Sequence, residues 1–302
     1  MTRERVVGLV GAYDGEVTAA ASQRTERFGV PFVNGDASTG YLTERGLDWF
    51  FRTGPSDRMF GEAFFSAFRQ EQVQPRRITM LYATDAPGEN MHRVLHNLAP
   101  PAGYDEHGMV KFAPGTTNFA PVIQQVRAKR PEALFLATSS ATDTVRILRA
   151  FEAAGSRPPQ IVAFGAGFSV PQALEAAGSA GEGVLYGTAW SREVAARNPS
   201  VKPVMDLYEK RFAASMTDVA AGSFTAVLIL AAAIDAARSV EPERVRAALL
   251  GLELPGRSTI MPWSGVQFDA SHQNVRASAT VEQLVQGGLR VVYPRELAQG
   301  GA

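Results

Sequence analysis

Apolar and polar positions follow two rhythms along this chain, and the order in which the rhythms alternate predicts its elements. The run VVGLVG (6–11) is β-branched and uncharged, as expected of a strand buried on both faces of a parallel sheet. After a turn, the apolar positions Val17, Ala20, Ala21 and Phe28 recur at helical spacing, and Gly29 closes the helix. VPFV (30–33) reads as a second strand, followed by the loop NGDASTG (34–40), rich in small and hydroxyl residues. SDRMFGEAFFSAFRQ (56–70) opens on capping residues and carries a helical apolar stripe.

The alternation then resumes. RITMLY (77–82) predicts a strand, DAPGEN (85–90) its loop and Met91–Leu98 a helix. GMVKFA (108–113), ALFLAT (133–138), IVAFG (161–165) and GVLYGT (183–188) predict further strands. Between them come helices over Phe119–Arg130, up to Gly155, and from about Pro171 to Ala177. The last third changes character, with helices over Val201–Ala214, Val219–Ala237 and Pro242–Leu250, then short strands that include SGVQFD (264–269). A final hairpin, ATVEQLVQGGLRVVYP (279–294), places its two-residue turn at Gly287–Gly288, where positive φ is needed.

Two consecutive βα series, Val6–Gln70 and Arg77–Thr188, predict an α/β fold of two doubly wound parallel-sheet lobes. The loops after 6–11 and 30–33 leave the C-terminal ends of parallel strands, the edge where open α/β sheets bind small ligands.

Composition narrows the function. At 302 residues, 45% of them apolar, the chain can bury a sizeable core. Thirty acidic and thirty basic side chains cancel without runs of either sign, so no nucleic-acid face or anionic membrane surface is expected. With no cysteine there is neither a disulfide frame nor a thiolate metal site. The most apolar stretch, VAAGSFTAVLILAAAI (219–234), is closed by Asp235 and is read as a core helix rather than a membrane span.

Catalytic signatures are weak. His92 and His96 stand four apart, which is metal-ligand spacing, but without the Glu of HExxH they read as a solvated helix face, so no metal is expected. FGAGFS (164–169) lacks the third glycine of a dinucleotide loop, and neither GxSxG nor GxxxxGK occurs. No nucleophile stands beside a base, so neither catalytic residues nor a cofactor are assigned.

The order GAYDGEVT, GVPFVN, DASTGYLTERG and FFRTGPSD, then LRAFEAAG and IMPWSGVQFDASHQNVRA with its QN and a closing VVYP, resembles the type I periplasmic solute-binding proteins of branched-chain amino-acid ABC transporters. The pairing of LTERG with FRTGPSD is the most specific part. The resemblance implies hinge crossovers joining the two lobes, 1–75 with 190–275 and 76–189 with 276–302, and a small ligand, an amino acid or a related amide or carboxylate, held between them. It implies a periplasmic or extracellular place, permease subunits as partners and no enzymatic activity; a ligand-sensing regulator of the same fold is the alternative. It also implies that a strand–helix–strand of the first lobe is expected upstream of Val6, so that VVGLVG would stand at a sheet edge open to association.

Carried onto this sequence, the family pattern points to Tyr13, Asp14 and Gly15 in the first loop and to Asp36, Ala37 and Ser38 in the second. Asp85, Ser139, Ser140 and Gly167 are the candidates in the second lobe, and Phe224 stands where the family often has tyrosine. Backbone N–H groups of residues 14–16 at a helix N-terminus suit a ligand carboxylate, the Ser38 hydroxyl adds a partner, and Asp36 suits an ammonium. The bland roles compete: Asp14 as helix cap, Asp36 and Asp85 as turn residues, Tyr13 and Phe224 as core. The chain departs from the family pattern in reading Asp14-Gly15 where Ser-Ser is usual, and Pro87 where a tyrosine commonly precedes the glycine.

Overall fold

A computed structural model describes residues 6–165, 173 and 176–298. The chain forms two compact units, one from residues up to Ser56 with Ala189–Ala279, the other from Asp57–Thr188 with the chain from Thr280 onward. It passes from one unit to the other after Ser56, Thr188 and Ala279. The expected boundary after residue 75 therefore moves back to residue 56, because the helix over 57–70 packs into the second unit. The boundary expected after residue 275 moves forward to 279.

In the first unit, β1 (Leu9–Val10), β2 (Phe32–Asn34) and β3 (Phe50–Arg52) form a parallel sheet in that order. Alternation along the strands sends Phe32 and Phe50 to one face, with Ala37 and Leu42, and Val33 and Phe51 to the other. The second face packs against α8 (Asp218–Ala237) and α9 (Pro242–Leu250) through Ala226, Ile229, Ala233, Val245 and Leu249. At 20 residues α8 is long and apolar enough to cross a membrane by length and composition. Its buried stripe instead fills this core, as the core-helix reading required. Two short helices, α6 (Arg192–Arg197) and α7 (Lys202–Phe212), precede it, and α6 is missing from the sequence-based expectation. The antiparallel pair β9 (Glu253–Pro255) and β10 (Gly265–Gln267) completes the unit as described.

Helix α1 (Gly15–Phe28) does not bury the face its apolar spacing predicts. Val17 is 57% and Phe28 43% exposed, whereas Thr18, Ser22 and Thr25 are buried. Each buried hydroxyl donates to a carbonyl three or four residues back, as in Ser22 Oγ to Thr18 O at 2.6 Å, so small polar side chains approach the sheet with their donors satisfied.

The second unit is a seven-stranded sheet. β5 (Glu106–Phe112), β4 (Ile78–Ala83), β6 (Ala133–Ala137), β7 (Gln160–Phe164) and β8 (Leu185–Thr188) run parallel in that spatial order, with β5 at one edge. The antiparallel hairpin β11 (Thr280–Val285) and β12 (Gly288–Tyr293) extends it beyond β8. Helices α4 (Ala120–Ala128) and α5 (Ala141–Ala153) cover the face carrying Leu81, Leu134, Leu136 and Ile161. On the opposite face α2 (Asp57–Gln70) presents Phe64, Phe65 and Phe68 to Phe135, with ring centroids 5.4–6.1 Å apart. The hairpin turn falls on Gln286 and Gly287, both at positive φ, one residue earlier than expected, because Val285 pairs with Gly288.

Candidate functional site

In the first unit, the loop that follows β2 meets the N-terminal turns of α8. Gly35 and Gly222 make this approach possible: a Cβ on Gly35 would lie 2.4 Å from the carbonyl oxygen of Gly222, and one on Gly222 would lie 2.4 Å from Asp36 Oδ1. Asp36 is thereby held against the helix, where its Oδ2 accepts a 2.7 Å hydrogen bond from Ser223 Oγ. Burial pushes the Asp36 carboxyl from its ordinary 3.8 up to about 7; the Ser223 hydrogen bond opposes the shift and the charge of Asp218 adds to it. Near neutral pH this group is therefore available as a carboxylate that receives an ammonium or as an acid that donates to an anion.

The loop carrying Asp36 is fixed from beneath by Arg52 at the end of β3, which is 2% exposed. Its guanidinium donates to the carbonyls of Ser38 and Thr39 at 2.9 and 2.7 Å, to Thr43 Oγ1 at 3.1 Å and to Gln273 Oε1 at 2.5 Å. Asn274 Nδ2 in turn donates to the carbonyls of Thr53 and Gly265. The motifs FRTGPSD and QN are thus two halves of one hydrogen-bonded support. The sequence reading marked both motifs without giving either a structural part, and it missed Ser223, which lies beside Phe224.

The structure brings Tyr13, Asp14 and Gly15 to the same loop cluster as the Asp36 segment: a Cβ on Gly15 would lie 2.4 Å from Thr39 Oγ1. Asp14, however, is the N-cap of α1, its carboxylate accepting from the N–H groups of Glu16 and Val17 at 2.9 Å. The N–H of Glu16, expected to face a ligand, is already engaged. Ala37 points into the core at 2% exposure, so what it can offer is backbone. Tyr13, at 47%, and Phe224, at 39%, are exposed rather than core.

In the second unit, Asp85 and Ser140 stand at the C-terminal ends of β4 and β6 and both cap helices. Asp85 Oδ1 accepts from Gly88 N at 2.8 Å at the start of α3 (Ala86–Leu98), and Ser140 Oγ accepts from Asp143 N at 3.1 Å. Ser139 is exposed beside it, and Gly167 lies outside the described residues. The solvated face expected of His92 and His96 holds for His96, whose side chain is 58% exposed, but not for His92. His92 is half-buried and stacked on Tyr82, its ring centroid 4.3 Å away, and both histidines reach Glu106 at the start of β5. Among the described residues these three are the group able to hold a metal ion.

The comparisons with known proteins agree with this architecture. A family model described as periplasmic binding protein matches residues 1–288. The Leu/Ile/Val-binding protein homolog 7 of Brucella abortus is 22% identical over 96% of this chain and 75% of its own length; homolog 8 of the same organism is 23% identical over 97% and 75%. Among solved structures, a leucine-binding protein LivK from Thermotoga maritima superposes with a TM-score of 0.81 at 20% identity, over 96% of this chain and 79% of that one. An ABC-transporter solute-binding protein from R. palustris, solved in complex with 4-hydroxybenzoate, superposes with a TM-score of 0.79 at 18% identity, over 96% and 77%. With two α/β units linked by three crossovers, the type I fold of the superposed structures and a family match across nearly its whole length, this chain belongs to the periplasmic binding proteins, which are binding proteins rather than enzymes.

Proposed function

We propose that this protein is a periplasmic solute receptor that captures an amino acid, an amide or a related carboxylate and delivers it to the permease of an ABC transporter. Family membership supports receptor chemistry, and the names of its relatives and neighbours span leucine, isoleucine and benzoates as ligands. The observation that carries the reading is Asp36. A half-buried carboxyl bonded to Ser223, in a loop held by Arg52 at the C-terminal edge of a parallel sheet, is a built polar group at the place where open α/β sheets bind ligands. Tyr13, Gly15, Ser38 and Phe224 are proposed as further contacts beside Asp36, and Asp85, Ser139 and Ser140 as contacts at the C-terminal strand ends of the second unit.

A thermal-shift screen of amino acids, amides and aromatic acids tests the reading, since a ligand at 100 times its dissociation constant adds about 2.7 kcal/mol of stability. A stabilising ligand should be recovered chemically unchanged. Ser38→Ala should weaken its binding by about 0.5–1.5 kcal/mol if the hydroxyl is a neutral hydrogen-bond partner. Absence of stabilisation by every class, or turnover of the stabilising compound, would overturn the proposal.

A further inference from the structure

On the outer edge of the second unit, away from the C-terminal strand ends, α3 and β5 bring together three metal-ligating side chains. His92 and His96 stand one helical turn apart on α3, and Glu106 opens β5. His96 Nδ1 lies 2.8 Å from Glu106 Oε2 and His92 Nε2 lies 3.5 Å from Oε1, with the ligand atoms of all three residues within 4.8 Å of one another. Zinc held at about 2.0–2.1 Å by tetrahedral ligands sets neighbouring ligand atoms roughly 3.4 Å apart, so these separations need little adjustment.

Two observations distinguish this cluster from an ordinary surface pair. First, Glu106 reaches it through an irregularity in the strand. Along β4 and β5, Tyr82 pairs with Lys111 and Met80 with Met109, so in regular register Ile78 would pair with His107. A register shift makes Ile78 pair with Glu106 instead and Thr79 with Gly108. Paired residues of parallel strands share a face, so the bulge turns Glu106 to the α3 side, the side of Tyr82 and Met80. Second, His92 Nε2 is buried without a hydrogen bond: its 3.5 Å approach to Glu106 does not satisfy it, while the ring is fixed by stacking on Tyr82 at an interplanar angle of 8°. A simple His96–Glu106 hydrogen bond accounts for neither the oriented orphan nitrogen nor the displaced strand.

We propose that His92, His96 and Glu106 bind a divalent transition-metal ion of the zinc class, which ties α3 to the edge strand β5. Two imidazoles and one carboxylate suit such an ion and disfavour the oxygen-seeking magnesium and calcium ions, and three protein ligands leave one position for water.

The test is titration of the tag-free, chelator-treated full chain with zinc, read by competition with a chromogenic chelator and by thermal unfolding, alongside magnesium. His96 is the safest ligand to change, because its side chain is 58% exposed. The expected result is one zinc per chain, a raised unfolding temperature, no response to magnesium and at least about tenfold weaker zinc binding in His96→Gln and Glu106→Gln. His107→Gln, which changes the exposed neighbour on the same strand, should bind as the parent does. Absence of zinc binding, binding undiminished in His96→Gln, or loss of binding in His107→Gln would each overturn the assignment.

Discussion

Asp36 exchanges its proton near neutrality, and this makes a single side chain report on both stability and ligand class. Its carboxyl is pushed up to about 7 in the folded protein by burial, against 3.8 as the ordinary value. The folded state therefore holds a proton that the unfolded chain has released, and stability that is fully present below pH 4 is lost as pH rises to about 7. Asp36→Asn should flatten that slope, measured as urea midpoints across the same range. The same titration sorts ligands by sign. An ammonium facing Asp36 should bind more tightly as pH rises through about 7, and a carboxylate accepting its proton should bind more weakly; calorimetry at pH 6 and pH 8 separates the two. An affinity unchanged by pH in both cases would mean that Asp36 does not face the ligand. The family resemblance singled out Asp36 by its place before Ala37-Ser38, but Ser223 and Asp218, which set its behaviour, stand 187 and 182 positions away and are joined to it only by the fold.

At the scale of elements, sequence periodicity located most strands and helices but not which face each would bury. Strands such as ALFLA were legible because both sides are covered and the run is continuously apolar. Helix α1 was misread in orientation because Thr18, Ser22 and Thr25 hide their hydroxyls in their own helix, whereas Val17 is left in water and Phe28 lies beneath the Arg24 guanidinium, 5.3 Å from the ring centroid. The bulge in β5 was equally invisible, since one extra residue in a short polar stretch leaves no trace in the pattern. The support under the Asp36 loop was legible only as motifs. Arg52→Met should remove the charged donors to the carbonyls of Ser38 and Thr39 and cost about 3 kcal/mol or more, at about 1.5–3 kcal/mol for each such bond. Denaturant titration should show that loss, and amide exchange should accelerate in residues 36–43 before it does so in α8. Exchange that rises evenly through both would show that Arg52 supports the unit as a whole rather than this loop.

For the whole molecule, the main feature is interleaving: each unit is made of two separated stretches of chain, and none of the three boundaries can be read as a linker by composition. The first boundary was placed too late for this reason, because nothing in SDRMFGEAFFSAFRQ tells which core its phenylalanines will enter. The hairpin β11–β12 closes the seven-stranded sheet along β8, with Thr280 pairing with Thr188 and Gln283 with Leu185. A polypeptide of residues 57–188 alone should therefore associate through the bare edge of β8, and adding residues 280–298 should restore a monomer, as judged by sedimentation. A monomeric 57–188 fragment would show that this edge protects itself.

The position of that hairpin also sets a delay during protein synthesis. After β8 leaves the ribosome, the roughly 90 residues of Ala189–Ala279 must be made before the strand that covers it exists, which at ~5–20 residues per second leaves the apolar edge waiting on the order of 5–20 s. Closing a loop or pairing a hairpin takes microseconds, so the nascent chain spends nearly all of that interval with a template for its neighbours on display.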